Sequence, residues 1–446
     1  MSLRNSACYG AGAYGMNLVY SFMTMYLMYY LTETIHISPV FVGLLFLVVR
    51  LIDALLTPVI GIMVDATSTR LGRFKPWILA GTVANGLAMV LLFYVMPTAV
   101  SHRPEPLVSV LYALWCLTYA LEDIPFWAMI PALDEGKGID GITVVVRLCA
   151  ASGSFLVIVA ALPLVKLFGA GSAVVGYLDL AVALAVVSIF TCAIMVAGIK
   201  ENRRYEPRRY RLRDLADILA KNDRALIVSL ILLLFSLALT LTSNMWIYYF
   251  KYVFGDASKY IEYIIVTGIF QALSMLSFPA MDKAIGKRRT FLLSVLVALI
   301  GYVILATVGT MGIRSMAIVY FAGSLISIAI GFSQVLGTIL LADTVAYGEE
   351  KTGSRNEGFI LSLQPFIAKA SSAFSSLIMG FGLAYAGVSG QPAGFSGPRL
   401  SVAMFGIPII ACILSGLIFQ NWGPRSGQDR DVAARGIGDP PFSDGR

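Results

Sequence analysis

The sequence predicts an all-α membrane protein with twelve transmembrane helices arranged in two six-helix halves. Of its 446 residues, 58% are hydrophobic and 13% are charged, whereas about 25% of the residues in a typical soluble domain are charged. Apolar runs of about 20 residues or more recur along the chain, and only helices or closed barrels satisfy their backbone polar groups in lipid. A long basic segment separates six of these runs from the other six.

The predicted transmembrane helices share an apolar composition and a length that crosses a bilayer. They cover residues 7–34, 40–66, 77–97, 107–133, 143–168, 175–199, 225–250, 259–281, 290–309, 316–343, 358–386 and 400–421. We therefore divide the chain into an N-terminal six-helix bundle (1–199), a basic cytoplasmic linker (200–224), a C-terminal six-helix bundle (225–421) and a cytoplasmic tail (422–446). The tail is rich in Gly, Pro, Asp and Arg, a composition that predicts disorder.

Lysine and arginine are distributed unevenly between the two sides of this topology. Most of them fall on the side that carries both chain termini, above all in residues 200–224. By the positive-inside rule this side is the cytoplasm, so we predict a multi-pass protein of the plasma (inner) membrane with both termini cytoplasmic. The charge of the linker is explained by contact with lipid headgroups of the bilayer. The net charge of +7 therefore gives no reason to expect nucleic acid as a partner.

A weak internal repeat supports the division into halves. Asp65 ends the second predicted helix and is followed by a short basic turn that contains Arg73. Asp282 stands near the end of the eighth, and a basic turn at 286–289 follows it. Corresponding loops in two six-helix halves are expected of a major-facilitator architecture. We place Asp65 and Arg73 in a cytoplasmic gate.

Two carboxylates lie near membrane depth in the fourth predicted helix. Tyr119, Asp123 and Trp127 recur at intervals of four and therefore share one helix face. A carboxylate between two aromatic rings suits a polyol, because the acid accepts hydroxyl hydrogen bonds and a ring packs on C–H groups. Glu122 points about 100° away and needs a separate role. A helix–helix contact with one satisfied acid is the alternative, although embedded charges usually mark functional sites.

Further polar side chains lie at membrane depth in four other predicted helices. They are Asn17, Arg50, Asp53, Thr57, Arg147, Gln364 and Lys369. Arg50 and Asp53 lie one turn apart, so an ion pair within their helix is the alternative to a functional site. Arg147 lies near the cytoplasmic edge and has the option of snorkelling there, whereas Lys369 is far from either helix end. The embedded charges balance, which favours a polar cavity between the two half-bundles.

The sequence does not indicate the chemistry of an enzyme. Its two histidines, His36 and His102, lie outside the apolar runs, and it has no HExxH or nucleophile-elbow motif. Its five cysteines lie within or beside the apolar runs without CxxC spacing, so neither a metal site nor a disulfide framework is predicted. We expect no cofactor. A sensor derived from a transporter is a further class that the sequence leaves open.

Several motifs occur in the order and spacing of one transporter family. They are residues 9–12 (YGAG), 26–30 (YLMYY), 73–77 (RFKPW), 123–127 (DIPFW), 248–252 (YYFKY) and 342–349 (ADTVAYGE), the last continuing through Lys351, Arg355 and Glu357. These motifs cover nearly all of the chain outside the tail. The sequence resembles the glycoside–pentoside–hexuronide:cation symporters, and most closely the melibiose carriers. This resemblance implies a major-facilitator fold and alternating-access transport of a glycoside with a cation.

The resemblance also implies roles for individual residues. Asp123 and Trp127 match the sugar-binding acid and the ring that stacks on the sugar. The other predicted substrate-binding positions are Asn17, Tyr119, Arg147, Gln364 and Lys369. The cytoplasmic salt-bridge gate is matched by Asp343, Tyr347, Glu349, Lys351 and Arg355. Asp53 matches the cation site.

Some matching positions depart from the melibiose carriers. Asn17 stands in place of a sugar-binding acid, and at the cation site Thr57 replaces a second carboxylate while Leu and Ala replace an amide and a hydroxyl. One carboxylate and one hydroxyl are few ligands for sodium, whereas a proton needs one titratable acid. We therefore predict proton symport through Asp53 first, uncoupled facilitation second and sodium symport third, with Glu122 as a reserve proton carrier.

The predicted substrate is a small polar solute of the glycoside class, and the functional unit is predicted to be a monomer. A lysolipid or other amphiphile carrier of the same fold is the alternative, since distant relatives of this family carry lipids. A continuous apolar slot beside the polar cavity would favour that alternative.

Overall fold

A computed structural model of the protein describes residues 3–67, 69–99, 104–132, 139–199, 222–352, 357–388 and 395–422. Over these ranges the chain forms twelve long helices: α1 (Leu3–Glu33), α2 (Pro39–Asp65), α3 (Lys75–Ala99), α4 (Pro104–Ala132), α5 (Ile139–Gly169), α6 (Ala173–Gly198), α7 (Asp223–Val253), α8 (Lys259–Ile285), α9 (Lys287–Thr310), α10 (Met316–Thr352), α11 (Glu357–Tyr385) and α12. The last is α-helical over Gly397–Ser401 and Ile407–Trp422 and π-helical over Val402–Gly406 between them.

The lengths of these helices agree with the predicted transmembrane spans. Within the described ranges, ten helices, α3 to α12, are long and apolar enough to cross a membrane. The other two, α1 and α2, have 31 and 27 residues, and 27 residues of α-helix extend about 40 Å. Most of the predicted linker and all but the first residue of the predicted tail lie outside the described residues.

Local signals explain where the C-terminal half begins. The side chain of Asn222 accepts a hydrogen bond from the backbone N–H of Ala225 at 3.0 Å, which caps the first turn of α7. Its amide group also donates to the carbonyl of Thr344 in α10 at 3.0 Å. The helix therefore begins at Asp223, two residues before the predicted start of this half. Between α8 and α9 the chain turns at Gly286, whose φ of 80° favours glycine.

Each half is a bundle in which sequence neighbours and more distant helices pack together. In the first half α1 packs on α5 and α6, α3 packs on α4 and α6, and α2 packs on α4. Small residues allow close approach: a Cβ atom at Gly81 of α3 would lie 2.7 Å from the backbone nitrogen of Glu122 in α4. In the second half α10 packs on α8, α9 and α11, while α7 packs on α11 and α12.

The two halves meet mainly along α2 and α11, with smaller contacts between α1 and α7 and between α5 and α8. We call the face at which α1 begins and α12 ends the terminal face, and the opposite face the far face. The predicted orientation places the terminal face in the cytoplasm. Near the far face, α2 and α11 touch through glycine: a Cβ atom at Gly43 would lie 3.1 Å from the Cα of Gly380. The α2–α11 seam therefore leaves no space for side chains at this level.

Candidate functional site

The acid on α4 is held by the two aromatic residues of its own helix face. One carboxylate oxygen of Asp123, Oδ1, accepts a hydrogen bond from Trp127 Nε1 at 2.9 Å and from the Tyr119 hydroxyl at 3.2 Å. Both donors lie one turn away, as the spacing of four requires. The prediction that these three side chains share a face is confirmed, and the hydrogen bonds fix the orientation of the carboxylate.

Further aromatic and basic groups surround this acid. The Tyr119 ring stacks on Tyr20 of α1 with centroids 5.0 Å apart, and on Trp115 with centroids 5.6 Å apart. The guanidinium of Arg147 on α5 lies 5.7 Å from the centroid of the Trp127 ring. The arrangement thus joins a hydrogen-bond acceptor, flat apolar surfaces and a nearby cation, which are the groups that recognise a polyol.

A second acid forms an ion pair between the two halves. Asp53 Oδ2 on α2 lies 3.0 Å from Lys369 Nζ on α11, and the two side chains are 13% and 26% exposed. The other oxygen of Asp53, Oδ1, is buried without a hydrogen-bond partner among the described residues. Arg50, which the sequence offered as the partner of Asp53 within α2, instead donates to Ser372 Oγ of α11 at 2.7 Å. The local ion pair is therefore replaced by one that crosses the α2–α11 seam.

The cation that pairs with Asp53 also lies within electrostatic range of Asp123. Lys369 lies close enough to Asp123 as well as to Asp53 for an electrostatic interaction with both. We call Asp53, Asp123 and Lys369 the polar centre. Because α2 and α4 belong to one half and α11 to the other, any relative movement of the halves changes the distances within this group.

Glu122 faces a different environment. Its side chain is buried, and Oε1 accepts a hydrogen bond from Thr82 Oγ1 of α3 at 2.8 Å. Thr82 Oγ1 also lies 3.2 Å from Cys192 Sγ of α6. The prediction that Glu122 points away from Asp123 is confirmed, and the acid sits inside the first half between α3, α4 and α6.

Two other predicted site residues donate hydrogen bonds to backbone carbonyls of their own helices. Thr57 donates its hydroxyl hydrogen to the backbone carbonyl of Asp53 at 3.0 Å, and Asn17 donates to the carbonyl of Ala13 at 2.9 Å. Gln364 is partly buried on α11, and its Nε2 faces Gly337 of α10. Both Thr57 and Asn17 thus satisfy a backbone carbonyl of the preceding turn rather than reaching across a cavity.

At the terminal face, part of the predicted gate is assembled within the second half. The Tyr347 hydroxyl and the Lys351 amine both bind Asp223 Oδ1, at 3.1 Å and 2.6 Å. The hydrogen bond to Asp223 raises the pKa of the Lys351 amine above its ordinary value. Asp343 pairs with Lys287 of α9 at 2.9 Å. Asp223 and Lys287 are partners of the predicted gate residues that the sequence reasoning missed.

Three of the remaining predicted gate residues lie at or near helix ends. Asp65 ends α2, Arg73 lies in the turn before α3, and Glu349 is exposed near the end of α10. The side chain of Asp65 and all of Arg355 lie outside the described parts of the structure. Their roles in a gate stay predictions.

Comparison with known proteins decides the family. A sequence model of the family described as MFS/sugar transport protein matches residues 8–421. The chain belongs to this family. The predicted kinship with sugar symporters is thereby confirmed, and the family consists of multi-pass membrane transporters rather than enzymes.

Individual relatives of this family support the same conclusion. The isoprimeverose transporter of Lactiplantibacillus pentosus is 30% identical over 396 residues, covering 85% of this chain and 79% of the relative. The lactose permease of Lactobacillus delbrueckii subsp. bulgaricus is 26% identical over 437 residues, covering 92% and 68%. Among solved structures, a variant of the nucleoside transporter NupG superposes with a TM-score of 0.70 at 12% identity, covering 93% of this chain and 100% of the other. The predicted all-α major-facilitator fold is therefore confirmed.

Proposed function

We propose that this protein is a secondary active transporter that moves a glycoside together with a proton across the inner membrane by alternating access. The observation that carries this proposal is the polar centre, where acids of the first half meet a cation of the second. Binding of a substrate or a proton at this group therefore changes the contact between the halves.

The glycoside is assigned to the α4 face. Asp123 is held in place by Tyr119 and Trp127, so its carboxylate is oriented before a sugar arrives. Sugar hydroxyls donate to this carboxylate, in hydrogen bonds that are stronger than those to neutral acceptors. The Trp127 ring offers a flat surface to the C–H face of a sugar ring. Two relatives named for transport of lactose and isoprimeverose support a glycoside as the substrate.

The proton is assigned to Asp53. In the structure its carboxylate faces the Lys369 amine, and a carboxylate in this place needs a cation to balance it. Protonation of Asp53 removes the negative charge, releases Lys369 and weakens the α2–α11 seam. Loss of the proton restores the ion pair. Sodium needs several oxygen ligands together, whereas Lys369 already occupies one oxygen of this acid.

Uncoupled facilitation is the second candidate, and the same ion pair favours it. Because Lys369 already neutralises Asp53, no bound ion is needed to balance the charge of this acid. The two functions differ in whether an imposed gradient drives accumulation.

The experiment uses the purified protein in proteoliposomes. Counterflow with a panel of labelled glycosides identifies a substrate, and liposomes without protein are the control. A proton gradient or a sodium gradient is then imposed separately. We expect accumulation with the proton gradient. Accumulation driven by sodium alone would overturn the proton assignment, and counterflow without accumulation under either gradient would establish facilitation.

A further inference from the structure

Two tyrosine-rich motifs that have no role so far meet each other at the far face. Residues 26–30 lie near the end of α1, and residues 248–252 lie near the end of α7. These helices belong to different halves, and the contact between them is small. The side chains that face each other follow a helical spacing on both partners: Tyr29, Thr32 and Glu33 on α1, and Tyr248, Lys251 and Tyr252 on α7.

The outer layer of this contact is ionic. Glu33, whose side chain is 7% exposed, forms a salt bridge with the amine of Lys251. The Tyr252 hydroxyl lies 2.8 Å and 2.9 Å from the two oxygens of the same carboxylate. The Lys251 amine also lies 5.2 Å from the centroid of the Tyr29 ring, within range of a cation–π interaction. Glu33 thus receives a charged and a neutral donor, both from the opposite half.

The inner layer is aromatic and lies one turn deeper on α7. The hydroxyls of Thr32 and Tyr248 are 2.7 Å apart, and both side chains are buried. The rings of Tyr29 and Tyr248 meet edge to face with centroids 5.4 Å apart, a favoured aromatic geometry. Every one of these contacts joins α1 to α7, so none survives separation of the two halves at this face.

We propose that these six side chains form the far-face gate of the transporter. The gate closes the path between the halves on the side opposite the termini, and it has to break before a solute reaches the polar centre from that side. This inference rests on the proposed alternating-access function. Opening of the far face then requires the ion pair of Glu33 and Lys251 to break. This pair lies well away from the predicted gate at the terminal face.

The test measures the opening of the far face directly. In a variant whose five cysteines are replaced, spin labels are placed at Ser38 and Met311, two exposed positions on the far face of different halves. Pulsed dipolar spectroscopy then gives the distance distribution between them. We expect Lys251→Glu to raise the ratio of long to short distances about tenfold, because two acids then face each other in a largely buried place. The exchanged pair, Glu33→Lys with Lys251→Glu, should restore the short distance.

The control is Lys259→Glu, the same change of charge on the same face. Lys259 lies 5.9 Å from the ring of Phe254 within its own half, so this variant should keep the wild-type distances. Tyr252→Phe removes one hydrogen bond to Glu33 with little change of shape and should give a smaller rise. An unchanged distance in folded Lys251→Glu, or a failure of the exchanged pair to restore it, would overturn the gate. The readout needs no substrate, so failure of the glycoside assay bears on the proposed function and not on this result.

Discussion

Removing the amine of Lys369 should strand Asp53 in the α2–α11 seam. The Asp53 side chain is 13% exposed, one of its oxygens has no hydrogen-bond partner among the described residues, and Lys369 binds the other. Breaking a buried ion pair from one side costs about 3–5 kcal/mol, and the partial exposure places the cost near the lower end of that range. A cost of about 3 kcal/mol changes an equilibrium by about a hundredfold. Lys369→Ala should therefore abolish both counterflow and accumulation of sugar.

The assay separates binding and exchange from coupling. Proteoliposomes containing Lys369→Ala are compared with the wild type in counterflow and in accumulation driven by a proton gradient. The double variant Lys369→Ala with Asp53→Asn removes both charges, so it should regain counterflow while remaining unable to accumulate sugar. This rescue separates the loss of a partner from general misfolding.

Two results would refute this reasoning. Wild-type accumulation in Lys369→Ala would show that the ion pair has no part in transport. Restored accumulation in the double variant would show that Asp53 is not the proton carrier, because no titratable group remains at either position.

Three further predictions concern the acids and rings of α4. Asp123→Ala removes a charged acceptor worth about 1.5–3 kcal/mol, so the affinity measured by calorimetry should fall by about ten- to a hundredfold; unchanged binding in a folded variant would end this assignment. Trp127→Phe should weaken binding less than Trp127→Ala, because it keeps an aromatic face while losing the hydrogen bond to Asp123, and the reverse order would argue against stacking. Glu122→Gln should leave proton-driven accumulation within about twofold, because glutamine also accepts from Thr82, whereas Asp53→Asn should abolish it. The opposite outcome would make Glu122 the proton carrier.

The sequence predicts features that depend on local spacing. The intervals of four between Tyr119, Asp123 and Trp127 suffice to place them on one face, and helix geometry also turns Glu122 away from them. The number and approximate limits of the helices follow from apolar runs, because lipid leaves the backbone few alternatives.

Local spacing does not identify side-chain partners that lie far apart in the sequence. Arg50 lies one turn from Asp53 and is therefore the visible candidate partner, while Lys369 lies 316 residues away. Only the packing of α2 on α11 brings the amine to the acid. The contact between Asp223 and Lys351 likewise depends on how α7 and α10 pack, which the sequence does not show. The sequence shows the motifs around Tyr29 and Tyr248, but nothing in either motif indicates that the two are in contact.

The origin of the hydrogen bonds to Asp123 bears on the symmetry of transport. Both donors come from α4 itself, so this part of the site moves as one rigid unit and loses no contact when the halves separate. The cost of orienting the carboxylate is met during folding rather than at binding. The hydrogen bonds that orient Asp123 therefore stay the same when the halves move, whereas its distance to Lys369 of the other half changes. The direction of net flow is set by the gradients in any case, so this rigid unit determines how a sugar is bound and not which way it moves.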